Sequence, residues 1–286
     1  MKKPKDAPGP LSLNTATVRA QWSLQQCIEG CLRHGITGIS PWRDKLAEYG
    51  LANAARHIRD AGLTVTGLCR GGMFPASDAA GRRAALEENF RAVDEAAALN
   101  AQCLVLVVGG MPAGSKDIAG ARQQVQDGIA ALLQYARPAG VKLAIEPLHP
   151  MYAADRACVN TLGQALDICD SLGNGPGDAS GDISLGVAAD VYHIWWDPQL
   201  EAQIKRAGKR ILGFHICDWL VPTRDLLLDR GMMGDGVIDI PAIRAQVEAA
   251  GYDGFCEVEI MSSENWWKRD ADEVLRVCVE RHASVV

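Results

Sequence analysis

Short apolar runs rich in Val, Ile, Leu and Cys alternate along the chain with longer segments whose apolar residues recur at helical spacing. Strand-type runs alternating with helix-type segments from end to end are the pattern of parallel strands joined by crossover helices. Eight strands are predicted, at residues 11–18, 36–41, 63–69, 102–108, 141–147, 183–190, 211–217 and 255–260. Between them lie predicted helices such as SLQQCIEGCLRHG, LANAARHIRDAG, ARQQVQDGIAALLQYARPAG and PAIRAQVEAAG. Several of these end in Gly, and Ser23 and Thr161 stand where a side chain can cap the first turn of a helix.

Eight such repeats in 286 residues predict an α/β fold, a single (β/α)8 TIM barrel occupying 1–286 as one domain. An open doubly wound sheet is disfavoured, because no GxGxxG follows the first strand. Composition shifts only at GNGPGDASGD (173–182), read as a surface connection rather than a domain linker.

With 48% hydrophobic residues the chain can bury a large core. Its formal charge is −6 and no basic block exceeds the opening MKKPK, so a nucleic-acid partner is not expected. The opening segment lacks an apolar stretch of signal length, and no run of eighteen apolar residues follows, so the expectation is a soluble cytoplasmic protein without a membrane partner. Nine cysteines, odd in number and scattered through apolar runs, predict reduced core thiols. Cys27 and Cys31 share one helix face, but no second pair completes a soft-metal site.

The chemistry is concentrated in the second half. LAIEP ends at Glu146, GVAADVYH holds Asp190 and His193, GFHICDW holds His215, and CEVEI holds Glu259. A carboxylate at the tip of a buried strand is costly unless a positive charge meets it. In a barrel the C-terminal strand ends converge, so Glu146, Asp190, His215 and Glu259 would meet around the axis from strands five to eight. Three carboxylates and an imidazole suit one divalent metal ion, Mn²⁺ or Mg²⁺ first, with Co²⁺ or Zn²⁺ also compatible. Each residue alone has a plainer reading, as a helix cap, an ion-pair partner or a satisfied core histidine; four in register do not.

Glu257 shares a strand face with Glu259, so either can reach the axis. Glu259 lies nearer the active end, and Glu257 would then need a deeper partner, with Lys142 and Arg19 as candidates. His193, just past its strand, is placed to bind substrate or orient a ligand; Asp218 is placed to cap its loop or contact substrate. All seven tryptophans (22, 42, 195, 196, 219, 266, 267) follow strands. Indole faces stack on sugar C–H faces, so an aromatic wall around a polyol is expected, with Trp219 assigned to the substrate. Arg70 and Arg230 are candidates for an anionic or hydroxyl-bearing end. No Gly-rich phosphate cradle follows strands seven or eight, which argues against a phosphorylated substrate.

At IEPLH, at D-x-x-H (Asp190 to His193), at H-x-x-D (His215 to Asp218), at G-D-G-x-I-D (234–239) and at GYDGFCEVE, the chain resembles the xylose isomerase-like TIM barrel superfamily. That group includes keto-sugar epimerases, hydroxypyruvate isomerases and inosose dehydratases, and the resemblance spans nearly the whole chain. It implies that Glu146, Asp190, His215 and Glu259 bind one divalent metal, usually manganese, magnesium or cobalt, and that Glu146 and Glu259 also move the proton. It also implies that His193 and Arg230 contact substrate oxygens, Arg224 being a rival for the latter.

The implied activity is a sugar isomerase or epimerase working through an enediolate, with a small-molecule sugar or polyol as partner. The alternatives are a metal-dependent dehydratase of the same superfamily, or a non-catalytic sugar-binding or partner subunit. The superfamily's apurinic endonucleases need a histidine-rich multi-zinc site, for which six histidines are too few. The sequence leaves oligomeric state open, although barrels of this kind often pair into homo-oligomers through their loops.

Overall fold

A computed structural model describes residues 8–173 and 183–286. Its strands are β1 (Leu11–Asn14), β2 (Gly38–Ser40), β3 (Thr64–Val65), β4 (Leu68–Gly72), β5 (Leu104–Val107), β6 (Leu143–Ile145), β7 (Leu185–Asp190), β8 (Ile211–Ile216), β9 (Asp218–Trp219), β10 (Arg230–Gly231) and β11 (Cys256–Val258). One sheet runs in the order β3-β2-β1-β11-β8-β7-β6-β5-β4, and every pairing in it is parallel. The predicted third strand is split: β3 pairs with β2 and β4 pairs with β5, with Thr66 and Gly67 between them. Cys69 N–H donates to the Pro41 carbonyl at 3.0 Å and Trp42 bridges to Cys69, which brings the ends of the sheet together. The result is the predicted TIM barrel.

The surrounding helices are α1 (Leu24–His34), α2 (Arg43–Tyr49), α3 (Leu51–Asp60), α4 (Ala79–Ala98), α5 (Ile118–Ala136), α6 (Leu162–Ser171), α7 (Val191–Ile194), α8 (Leu200–Ala207), α9 (Ile240–Ala249) and α10 (Ala271–Val285). Ser23 opens α1 with a reciprocal capping box: its hydroxyl accepts from Gln26 N–H and the Gln26 side chain accepts from Ser23 N–H. Thr161 caps α6 in the same position, accepting from Gln164 N–H at 3.1 Å. Each cap contributes about 1 kcal/mol.

Strands are shorter than the apolar runs that predict them, for local reasons. Asn14 ends β1 because its side chain accepts from Ala16 N–H and starts a 3-10 turn, Thr15–Val18. Past β6 and β11 the backbone bonds continue for one residue: Glu146 N–H donates to Leu106 O at 3.1 Å, and Glu259 N–H to Ile216 O at 3.2 Å. Both glutamates are therefore held at the rim by the ladder itself. A ribbon absent from the sequence reading, β9 with β10, is antiparallel and stands in the connection after β8.

The large apolar core lies between barrel and helices, while a small cluster of Cys69, Cys103, Val105, Ala144 and Ala188 forms its own group. All nine cysteines are free and buried, as expected. Among the described residues no helix is long and apolar enough to cross a membrane. The opening MKKPK and, apart from Gly173, the stretch read as a surface connection (173–182) lie outside the described residues.

Candidate metal centre

Asp190 ends β7, His215 lies in β8, and Glu146 and Glu259 directly follow β6 and β11. These are four neighbouring strands of the sheet, and the register pairs Asp190 with His215. The four side chains are all buried, and each offers one ligand atom such that all four atoms lie within 4.8 Å of one another. A group of this composition can hold a metal ion.

The cluster carries its own countercharges. Nδ1 of His215 is 2.8 Å from Glu146 Oε1, and Nε2 is 3.5 Å from Glu257 Oε1. Burial alone would pull this imidazole down, but the carboxylates of Glu257, Glu146 and Glu259 outweigh it and raise it well above its usual 6.5. Arg230 is 3% exposed, and its Nη1 donates to Asp190 Oδ2 at 2.9 Å and Glu259 Oε2 at 3.0 Å. Its guanidinium also lies over the Tyr192 ring, 4.5 Å from the centroid.

The two carboxylates of that bridge respond differently. Burial pushes Asp190 up, yet Arg230, His193 and His215 hold it below its ordinary value. For Glu259 burial wins over Arg230, and with the charge of Glu146 it rises to about 7. A divalent cation would pull Asp190 and Glu259 down and compete with the proton on His215.

His193 is also buried and is pulled down to about 3, burial outweighing the attraction of Asp190. Its Nδ1 accepts from His149 N–H at 3.1 Å, so the neutral ring carries its proton on Nε2. That atom is 3.7 Å from Asp190 Oδ2 and 3.1 Å from Arg230 Nη2, itself a donor. Arg230 is thus held by carboxylates and not by His193. Its rival Arg224 points away, pairing with Asp229 at 2.6 Å with its side chain 62% exposed.

Glu257 lies outside the four-residue group. Its Oε1 accepts from Asn14 Nδ2 at 2.8 Å and its Oε2 from Thr66 Oγ1 at 2.7 Å. The partners anticipated for it, Lys142 and Arg19, are replaced by these neutral donors from β1 and the gap between β3 and β4; Arg19 instead pairs with Asp44. Asp218 is a loop cap, accepting from the N–H groups of Trp219, Gly234, Gly236 and Ile238.

Glu146, His193, Arg230, Glu259 and Arg70 line one inner pocket, together with Trp42, Leu148, Tyr152 and Arg156. Trp42, Cys69 and Arg70 also line an adjoining cleft of about 430 Å³. Trp219 does not line the inner pocket: it stacks on His149, ring centroids 4.9 Å apart, and packs on Tyr192 and Trp195. The wider tryptophan wall divides. Trp22 leaves the mouth because the 3-10 turn after β1 carries it outward onto α1, where it sits against Gly30. Trp266 is buried in the core. Tyr152 and Arg156 were missed by sequence reasoning; their position shortly after a strand end was the one available sign.

No curated protein sequence matches the chain significantly. Among solved structures it is similar to protein SMc04130 from Sinorhizobium meliloti 1021, at 63% identity and a TM-score of 0.92, covering 96% of this chain and 98% of that one. It is also similar in fold to the IolI protein with a bound zinc atom (24% identity, TM-score 0.79, 97% and 98% covered). A D-psicose 3-epimerase studied with D-fructose shares the fold as well (18% identity, TM-score 0.74, 96% and 99% covered). Residues 28–278, spanning the barrel from α1 to α10, match the family described as xylose isomerase-like TIM barrel. The chain belongs to the xylose isomerase-like TIM barrel family.

Proposed function

We propose that the protein is a divalent-metal-dependent isomerase or epimerase of a keto-sugar or related polyol, moving a proton through an enediolate. The observation that carries this reading is the buried set of three carboxylates and one imidazole whose ligand atoms lie within 4.8 Å of one another. Glu146, Asp190, His215 and Glu259 would hold the ion, Mn²⁺ or Mg²⁺ by the hardness of the set, with Co²⁺ or Zn²⁺ also suited. The zinc atom in the IolI structure and the epimerase activity named for the D-psicose enzyme support the reading. Such an ion makes the C–H beside a ketone more acidic and stabilises the charge that develops on oxygen.

The chain's own groups supply the rest. Glu146 and Glu259 approach the inner pocket from different strands, so one carboxylate can take the proton while the other returns it, to the opposite face or the adjacent carbon. Arg230 holds Asp190 and Glu259 in place. Buried free thiols suit a reducing compartment such as the cytoplasm. The test is proton NMR of candidate ketoses, D-fructose and D-tagatose among them, in D₂O with Mn²⁺-loaded protein. Deuterium entering a retained carbon skeleton supports the proposal; loss of a hydroxyl replaces it with the dehydratase reading.

A further inference from the structure

Most arginines at the mouth already have carboxylates. Arg19 pairs with Asp44, Arg43 with Glu88 and Glu95, and Arg230 with Asp190 and Glu259. Arg70 and Arg156 differ: each lines the inner pocket, and neither forms an ion pair with a carboxylate among the described residues. They come from neighbouring parts of the barrel, Arg70 from β4 and Arg156 from the connection between β6 and α6, with β5 between the two strands.

The two guanidinium groups feel each other. Burial is the main influence lowering Arg70 from its ordinary value, and the charge of Arg156 is the next. Glu146 pulls the other way but weakly, and its Oε1 is engaged by His215 at 2.8 Å. Beside Arg156, whose guanidinium lies 5.7 Å from the Tyr152 ring centroid, the buried Tyr152 hydroxyl has no hydrogen-bond partner among the described residues. Two partly desolvated like charges lining one pocket, and an orphaned hydroxyl on a third residue that lines it, are each costly when nothing answers them. A neutral polyol relieves only the hydroxyl, whereas an oxyanion relieves all three, because guanidinium forks match carboxylate and phosphate oxygens.

We propose that Arg70, Arg156 and the Tyr152 hydroxyl form a subsite for an oxyanion, so that a polyol bound across this pocket and the adjoining cleft carries an anionic end. Without a Gly-rich phosphate cradle after the last two long strands, a carboxylate fits better than a phosphate. This narrows the substrate class of the proposed isomerase and rests on that reading for the polyol part of the molecule.

The experiment is calorimetric titration of the full-length Mn²⁺-loaded protein with three open-chain six-carbon probes: sorbitol, gluconate and sorbitol 6-phosphate. The expected result is gluconate binding at least about tenfold tighter than sorbitol, the size of one charge-assisted hydrogen bond. Arg70→Gln and Arg156→Gln should each remove most of that preference, and Arg156→Lys should keep part of it. A preference for sorbitol 6-phosphate that is lost in the same variants keeps the subsite and assigns it to phosphate.

Neither gluconate nor sorbitol 6-phosphate binding tighter than sorbitol, including no measurable binding of any of the three, overturns the proposal. So does a preference undiminished in both Gln variants, since that assigns the affinity to the metal. Where one variant fails to fold, the other decides. Mn²⁺ titration of the wild-type protein separates the two readings: no anion preference in wild type with intact Mn²⁺ binding refutes the subsite alone, and an Arg-dependent anion preference without Mn²⁺ binding refutes the metal enzyme alone.

Discussion

Replacing Arg230 with Met removes the cation that bridges Asp190 and Glu259 while keeping a side chain of similar length. Both ion pairs, at 2.9 and 3.0 Å, join side chains that are at most 5% exposed. Removing one partner of a buried pair costs about 3–5 kcal/mol, chiefly because the remaining charge is left unanswered. That is a large part of the roughly 5–15 kcal/mol that holds a folded protein together, so metal-free Arg230→Met should unfold at markedly lower urea. A divalent ion would answer the same carboxylates. A unit charge about 5 Å from a divalent ion costs about 2 kcal/mol even at the dielectric constant of water, so losing the arginine should also tighten metal binding. The assay is urea unfolding of wild type and variant with EDTA and with saturating Mn²⁺. Stabilisation by Mn²⁺ should be larger in the variant by on the order of 1–2 kcal/mol. An equal loss with and without Mn²⁺ would refute the idea that these carboxylates face a cation site.

Glu146→Gln should abolish proton exchange and weaken Mn²⁺ binding at least about tenfold while leaving the circular dichroism spectrum intact, because volume is kept and charge deleted; normal turnover would remove Glu146 from the mechanism. Glu257→Gln should not weaken Mn²⁺ binding in calorimetry, because its oxygens accept from Asn14 and Thr66 and its charge favours the proton that competes with the ion on His215. A collapse of affinity there would move the fourth ligand two residues back.

Mn²⁺ binding should also depend on pH through His215. In the metal-free protein its raised value contributes stability that is fully present below the usual 6.5 and is lost as pH rises through the higher folded value. Metal must displace that proton and the one that Glu259, at about 7, still partly holds, so apparent affinity should climb with pH through neutrality, with about one to two protons released per ion there. Calorimetry in buffers of different ionisation heat measures this, and binding without proton release contradicts it.

The barrel and the four candidate ligands were legible because both are written locally. A run such as LVLV or LAIE shows its burial in its own composition, and a carboxylate closing such a run stands out wherever the strand is placed. The caps at Ser23 and Thr161 were legible for the same reason, since a cap bonds within its own turn. What the neighbours of those residues would be was not legible. Glu257 has a partner 243 positions away in Asn14 and another 191 away in Thr66, where the sequence suggested Lys142 and Arg19.

Arg230 is the sharpest case. Its chain position offered a substrate contact and it does line the inner pocket, but nothing local announced that the β9–β10 ribbon would also turn it onto Asp190 and Glu259. Trp22 and Trp219 show the same division, both following strands as the pattern requires, yet packing onto α1 and onto His149. The amino-acid order by itself determined the alternation of strand and helix, and hence that the chain would close into a barrel with acids at one rim. Only the tertiary structure decided which acid meets which base and which arginines are left without partners, because those contacts arise between segments that close on one another only when the barrel does.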